Sequence, residues 1–509
     1  MTTTTDLRLV PSAVVAWICA WVGTRTGPAS MPRWPVTVLL AVLLLVVAVG
    51  LVSASRRRAR ASGSSATRRP AALVGGQVLL VLAVAGAVLA VVGVRADLGE
   101  AGGVAELAST GATGCVIGTV VADPVPATTF GSKPEGVRTA LRVHGVSARG
   151  VVKRGAGTVD VVGGPEWSEI AVGAVVIADG RFGTAHPGAE EVAGFVPRGP
   201  PQVVEPPGAV LGAVARVRGA MMEVTAGLSP QARGLVPGAA IGDTTRVPEE
   251  IEAAMLATSL THVTAVSGGH FAVVVAAIGW CCSTARAPRW VRVVVTGAAV
   301  VGFVLLVRPD PSVLRAAATG CVGLVGTALG RPARAVPALA ACVVVLLVVD
   351  PWLARSFGFV LSVAATAGLV TLTGPIASRL TPWCGRQPAF LVAVPIAAQV
   401  ACGPVLVLLD PSLAIYAVPA NLLAALALAP ATVLGVMAAL VAPWWGGAAW
   451  VLAWCAGLAT WWIAAVATFF ARLPAAALPW VPGVGGAVLL AALTAAALAV
   501  LRWGWPVAR

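Results

Sequence analysis

The sequence predicts a mainly α, polytopic helical membrane protein of about 11–12 spans, with a small β domain inserted among them. Three observations carry this. The 509 residues are 58% hydrophobic and 11% charged, with mean hydropathy +0.90, values foreign to soluble globular domains. Run after run reaches the roughly 20 apolar residues that cross a bilayer core of about 30 Å. Over residues 104–200 the pattern changes to short alternating runs divided by Gly, Pro and Asp, the signal of strands. The net charge of +14 is largely accounted for by arginines in cytoplasmic loops, so it does not by itself imply nucleic acid. The nine cysteines form no CxxC pair. Cys281 and Cys282 are adjacent, and most of the others read as small packing residues in apolar runs. The start, MTTTTDLRLV, leads into further spans and not into a cleavage site, so no signal peptide is expected.

Taken in order, residues 1–103 read as N-terminal transmembrane helices, with spans at 9–22, 35–53 and 71–94. Between the second and third lies Arg56–Pro70, with six arginines and no acid, which belongs in the cytoplasm. Residues 104–200 then fall outside the cell as an antiparallel barrel or sandwich. Its eight Lys or Arg nearly balance nine Asp or Glu. Yet Arg138, Arg142, Arg149, Lys153 and Arg154 run without an intervening acid. Such a hairpin suits phosphate contact; a solvated edge that resists aggregation is the simpler reading. Residues 201–233 open Pro-rich and continue as an amphipathic helix, with Arg216 and Arg218, lying along the membrane surface.

Residues 234–509 read as the main transmembrane domain. It opens on the polar stretch Pro237–His270, taken as an outer mouth, where Pro248 starts a short helix with Glu249 and Glu250 in its first turn. Spans follow near 263–283, 291–307, 312–330, 335–349, 353–372, 388–409, 412–441 (long enough to be a broken pair), 446–470 and 484–502. Arg286, Arg289 and Arg292, then Arg331 and Arg334, then Arg379 and Arg386 mark alternate, cytoplasmic loops. Asp310–Pro311, Asp350–Pro351 and Asp410–Pro411 read as helix starts on the opposite face.

Few residues offer chemistry. Ser267 and His270 share a helical face, but no further group completes a triad for a membrane hydrolase. His144, His186, His262 and His270 have no metal-ligand spacing, and there is no Walker A sequence, so neither metal nor nucleotide cofactor is expected. Arg315, one turn inside a span, needs an acid or a ligand phosphate unless it snorkels to the interface. Gln399 and Asn421 read first as interhelical hydrogen-bonding groups. Gly358, Phe359 and Ser362 read as close helix packing. Trp290, Trp352, Trp444 and Trp445, near span ends, suit the interfacial belt better than base stacking.

Five phrases in order, PGAAIGDTTRVPEEI, LTHVTAVSGGHFAVV, DPSVLRAAATG, VVDPWLARSFGFVLSVAATAGL and AVPANLLAALALAPATVLG, resemble the ComEC family of competence proteins. The likeness spans about residues 234–440 and extends weakly to the C-terminus. It implies an OB-type barrel at 104–200 and a channel that passes single-stranded DNA across the cytoplasmic membrane. Implied partners are the lipid bilayer, a DNA receptor and a cytoplasmic helicase-like ATPase. Many members end in a metallo-β-lactamase-like nuclease. No HxHxDH sequence occurs up to Arg509, so no catalytic activity is expected in this polypeptide, and a separate nuclease would supply it. Self-association is left open. The polar and charged groups in or beside the spans, His262, Ser267, His270, Arg315, Gln399 and Asn421, are then the expected DNA path. Gly238, Gly242, Asp243 and Arg246 form its entrance loop, and Gly268 joins the packing positions. The competing reading is a transporter or exporter of another polymer or a small anion on the same scaffold.

Overall fold

The computed structural model describes residues 7–25, 65–101, 103–127, 136–148, 151–186, 188–264, 266–308, 313–320 and 335–503. The expected span 35–53, most of Arg56–Pro70 and of span 312–330, Arg149, Asp310–Pro311, Arg331 and Arg334 lie outside them. The chain divides into two compact units: Met1–Ala215 with Val343–Arg355, and Arg216–Cys342 with Ser356–Arg509.

In the first unit, α1 (Val10–Arg25) packs on α2 (Ser65–Ala101), and a short helix α3 (Val104–Thr110) leads into the β domain. Alternation along β1 (Thr113–Val120), β2 (Val137–Ala148), β3 (Thr158–Gly163), β4 (Val175–Thr184) and β5 (Ala193–Pro197) sends every second side chain inward. Leu141, Trp167, Phe182 and Phe195 fill the core. The strands pair in the order β1-β2-β3-β5-β4 and close back through β4 on β1, giving the small OB-like barrel expected. The expectation of a purely antiparallel sheet fails at one place, where β3 and β5 pair in parallel. A closed five-strand order with this connectivity requires one such pair. Gln202–Glu205 adds to β4, so strand structure runs past residue 200.

Arg95 of α2 bridges two carboxylates, Glu190 at 3.0 Å and Asp350 at 3.4 Å, and lies 5.6 Å from the centroid of the Trp352 ring. Burial pushes both carboxyls above the usual range; Asp350 adds to the rise at Glu190, while Arg95 opposes it at both. A carboxyl whose folded pKa is raised binds more protons folded than unfolded, so its contribution to stability falls as pH rises. Thermal unfolding should therefore show this unit gaining stability as pH drops from neutrality through the raised pKa values. Asp350→Asn should flatten that dependence; an unchanged profile would show that the pair does not set it.

The second unit continues α4 (Ala209–Thr225) into α5 (Pro230–Ile241), α6 (Glu249–Ala257), the single turn α7 (Thr261–Thr264), α8 (Gly268–Thr284) and α9 (Arg289–Val307). After a helical stretch at 313–320 come α10 (Ala335–Val349), whose residues from Val343 on belong to the first unit, then α11 (Phe357–Cys384), α12 (Arg386–Leu409), α13 (Ala417–Val441), α14 (Gly446–Ala471) and α15 (Gly483–Trp503). Among the described residues seven helices are long and apolar enough to span a membrane, and α1, α8 and α10 are shorter apolar helices. The break left open within 412–441 is absent: α13 is one helix of 25 residues containing Pro430. The expected span 353–372 runs on to Cys384, through Pro375 and Pro382.

Small residues recur every three or four positions along α13 (Ala417, Ala420, Ala424, Ala427, Ala431, Gly435, Ala438) and along α14 (Ala449, Ala453, Ala456, Gly457). These stripes let backbones approach closely, as spans require where no hydrophobic force draws helices together. Both helices also pack on α5, whose Gly234–Ile241 are all buried. Of the Asp-Pro readings, Asp350 does start a helix, though a 3-10 one, Pro351–Arg355, accepting the Trp352 N–H at 3.2 Å. Asp410 is the correction: it accepts the Ser412 hydroxyl at 2.8 Å and leads into strand Ser412–Ala414, paired with Ala477–Pro479. There a side-chain bond stabilises a tight turn in place of a helix start.

Candidate anion site at the start of helix α8

The sequence SGGHF starts α8 with Ser267 in extended conformation at the N-cap, which allows the chain to turn into the helix. His270, three residues on, folds back. Its Nδ1 accepts the Ser267 backbone N–H at 3.1 Å, and the Ser267 hydroxyl stands 3.0 Å from the same nitrogen. A backbone N–H only donates, so Nδ1 carries the lone pair and the ring proton sits on Nε2. The ring is fully buried, and Nε2 has no hydrogen-bond partner among the described residues. The serine-histidine contact is thus a helix cap. The nitrogen that would act as base already serves the backbone, and no described group orients the other.

Arg315 reaches this helix end from the stretch 313–320. Its Nε donates to Ser362 Oγ and its Nη1 to Thr366 Oγ1 at 2.9 Å. Ser362 and Thr366 are four residues apart on α11 and so share a face. The guanidinium is 8% exposed, and no carboxylate pairs with it among the described residues. Its Nη2 lies over Gly268, where an added Cβ would stand 2.5 Å away. Gly268 therefore serves the approach of a cation, where packing alone was expected. Ser362, also expected as a packing residue, is a hydrogen-bond acceptor for that cation. Phe359 is buried as expected, but Gly358 is exposed. The close contact on α11 is at Gly368, against Ala397 and Ala401 of α12. Helical spacing places Gly358 on a different face.

The other expected path residues do not join this cluster through hydrogen bonds. Asn421 donates to the Ala417 carbonyl of its own helix at 2.8 Å. Gln399 is half-buried and makes no hydrogen bond among the described residues. His262 is exposed and bonds the Ser259 carbonyl of its own segment at 3.2 Å.

The expected entrance loop is mostly not a loop. Gly238 lies inside buried α5, where an added Cβ would run into the Thr264 carbonyl. Gly242 ends α5 in the left-handed conformation, φ 75°, with its N–H on the Gly238 carbonyl. Asp243 accepts from Thr245 at 2.6 Å and pairs with Arg218 at 3.6 Å. Arg246 bonds the Met222 carbonyl at 2.8 Å. At Gly238 glycine gives close backbone approach within a helix, where a loop was expected.

Arg218 is the buried charge the sequence reading missed. It was expected at the surface with Arg216, but it is buried and donates to the Ile241 and Leu306 carbonyls as well as pairing with Asp243. Helical spacing held the signal: Arg218 shares its face with Met221 and Thr225, both buried, whereas Arg216 is exposed.

On the barrel, two members of the basic hairpin are paired. Arg138 meets Asp160 at 2.7 Å and Lys153 meets Glu106 at 3.2 Å, while Arg142 and Arg154 are exposed. The acids absent from the hairpin's own sequence arrive from neighbouring elements. Trp352 is also committed, its indole N–H on the Ala189 carbonyl at 3.1 Å. Trp290, Trp444 and Trp445 are exposed.

A family model described as Competence protein matches residues 240–506. The chain is also similar to ComE operon protein 3 of Bacillus subtilis (strain 168), 28% identical over 196 residues. That alignment covers 38% of this chain and 25% of the relative, so the chain matches about a quarter of that protein's length. No solved structure matches.

Proposed function

This chain belongs to the competence-protein family, and from that premise we propose that it is a conduit in the cytoplasmic membrane that passes single-stranded DNA into the cell during transformation. One observation supports the reading above others. Within an apolar helical bundle sits a buried arginine with no carboxylate beside it among the described residues, set against a helix N-terminus. Ionised groups at membrane depth are costly and mark substrate pathways. Here the complement they lack is an anion, and a DNA strand brings one with each nucleotide. A single cation holds such a chain weakly enough to release it, as conduction requires.

In this reading Arg286, Arg289 and Arg292 around the α8–α9 junction, and Arg379 and Arg386 around the α11–α12 junction, face the cytoplasm. The barrel then lies outside, where a DNA receptor delivers the strand, and a helicase-like ATPase draws it from within. The test is entry of labelled single-stranded DNA into vesicles or cells. Uptake should depend on this chain. Uptake of a different polyanion or small anion with no uptake of DNA would favour the transporter reading.

A further inference from the structure

We propose that the start of α8 is a subsite for one phosphodiester group, built from Arg315, the Gly268 and Gly269 N–H groups and the buried His270 imidazole. It rests on the conduit reading and names what the polynucleotide presents there. Four facts converge. The first-turn N–H groups of Gly268 and Gly269 are engaged by no hydrogen bond among the described residues. Beside the Ser267–His270 cap, these two donors at the positive end of the α8 dipole are thus open. Arg315 brings a full positive charge to the same end; its Nη2 lies against Gly268 and donates to no described residue. His270 Nε2 is a second uncommitted donor, on a side chain fully buried at that helix end.

A guanidinium against a helix N-terminus is two positive ends together. Without an anion they repel in a medium of low polarity, and a shared anion turns both contacts favourable. The donors also fit phosphate: backbone N–H groups at a glycine pair, a planar guanidinium and a neutral imidazole N–H all donate. Ser362 and Thr366 hold the guanidinium through Nε and Nη1, which leaves Nη2 for the ligand. With one full charge the subsite neutralises one phosphate. Each nucleotide of a moving strand would occupy it in turn.

The experiment uses the full chain in nanodiscs of neutral phosphatidylcholine and a fluorescent single-stranded oligonucleotide, with affinity measured across salt concentrations. Arg315→Gln should weaken binding by about tenfold or more, as for loss of a charged hydrogen bond. It should also flatten the dependence of log K on log salt by about 0.7, the slope of one phosphate contact on a single strand. Arg315→Lys, which keeps the charge and guards against misfolding, should restore the slope while binding less tightly than wild type. His270→Asn, which changes no charge, should lower affinity with the slope intact.

If the wild type binds the oligonucleotide and Arg315→Gln leaves the slope unchanged, the subsite is wrong and the conduit reading survives. A slope lost equally in Arg315→Lys and Arg315→Gln also overturns the subsite. If the wild type binds no oligonucleotide, the conduit reading fails and takes the subsite with it. Repeating the measurement with phosphatidylglycerol nanodiscs and with inorganic phosphate separates the sources of phosphate. Arg315-dependent enrichment of the anionic lipid, with no Arg315 effect on the oligonucleotide, would assign the group to the membrane and overturn the proposal.

Discussion

Arg218→Ala is expected to cost about 3–5 kcal/mol of stability, because it removes one partner of a buried ion pair and leaves the other charged. The magnitude follows from what Arg218 touches. Its guanidinium serves the carbonyls of Ile241, at the end of α5, and Leu306, at the end of α9, and pairs with Asp243 at 3.6 Å. A cation at two helix C-termini meets two negative dipole ends. Its loss leaves two buried carbonyls and a carboxylate short of donors. Arg216→Ala, two residues away and exposed, should stay within about 0.5 kcal/mol. Denaturant unfolding of both variants in the same detergent is the measurement. Equal losses in the two would show that Arg218 contributes only as a surface cation.

Gly238→Ala is the second large effect, expected at about 3 kcal/mol, the upper end for an overpacked core. The added methyl would meet the Thr264 carbonyl, which is backbone and has no rotamer to escape into. One helical turn earlier, a Cβ at Gly234 would stand 2.5 Å from the Arg246 carbonyl oxygen, so α5 is held by backbone on the same face at both positions. The opposing side is equally confined, since a Cβ at Gly435 of α13 would stand 3.0 Å from the Ala240 methyl. Gly227→Ala provides the comparison: nothing lies within 4 Å of its Cβ position, so it should be tolerated. A cooperative unfolding transition at the wild-type midpoint for Gly238→Ala would contradict the packing described for α5.

Both predictions fall where reading the sequence went astray, and for related reasons. In PGAAIGD, Gly238 and Gly242 were expected in an entrance loop. The structure uses the first for close approach within α5 and the second as its C-cap. Composition cannot separate these uses, because the difference lies in what stands opposite. Arg216 and Arg218 look alike in a hydropathy plot; their faces differ by two helical steps. On the barrel, the basic hairpin looked bare because its acids, Glu106 and Asp160, lie outside the segment. The Ser267–His270 pair was read as sharing a helical face from its spacing; Ser267 is instead the extended N-cap, and the two meet because His270 folds back onto it.

The sequence by itself determined the membrane class, most span positions and the inserted strand domain. Hydropathy and periodicity are sums over neighbours in the chain, and these features depend on such sums. Tertiary structure decided that Arg315 stands over Gly268, that Arg218 ties two helix ends, and that the barrel closes through one parallel pair. Each of these depends on residues far apart in the chain meeting at a few ångströms. A charge costs little or much according to what it meets there.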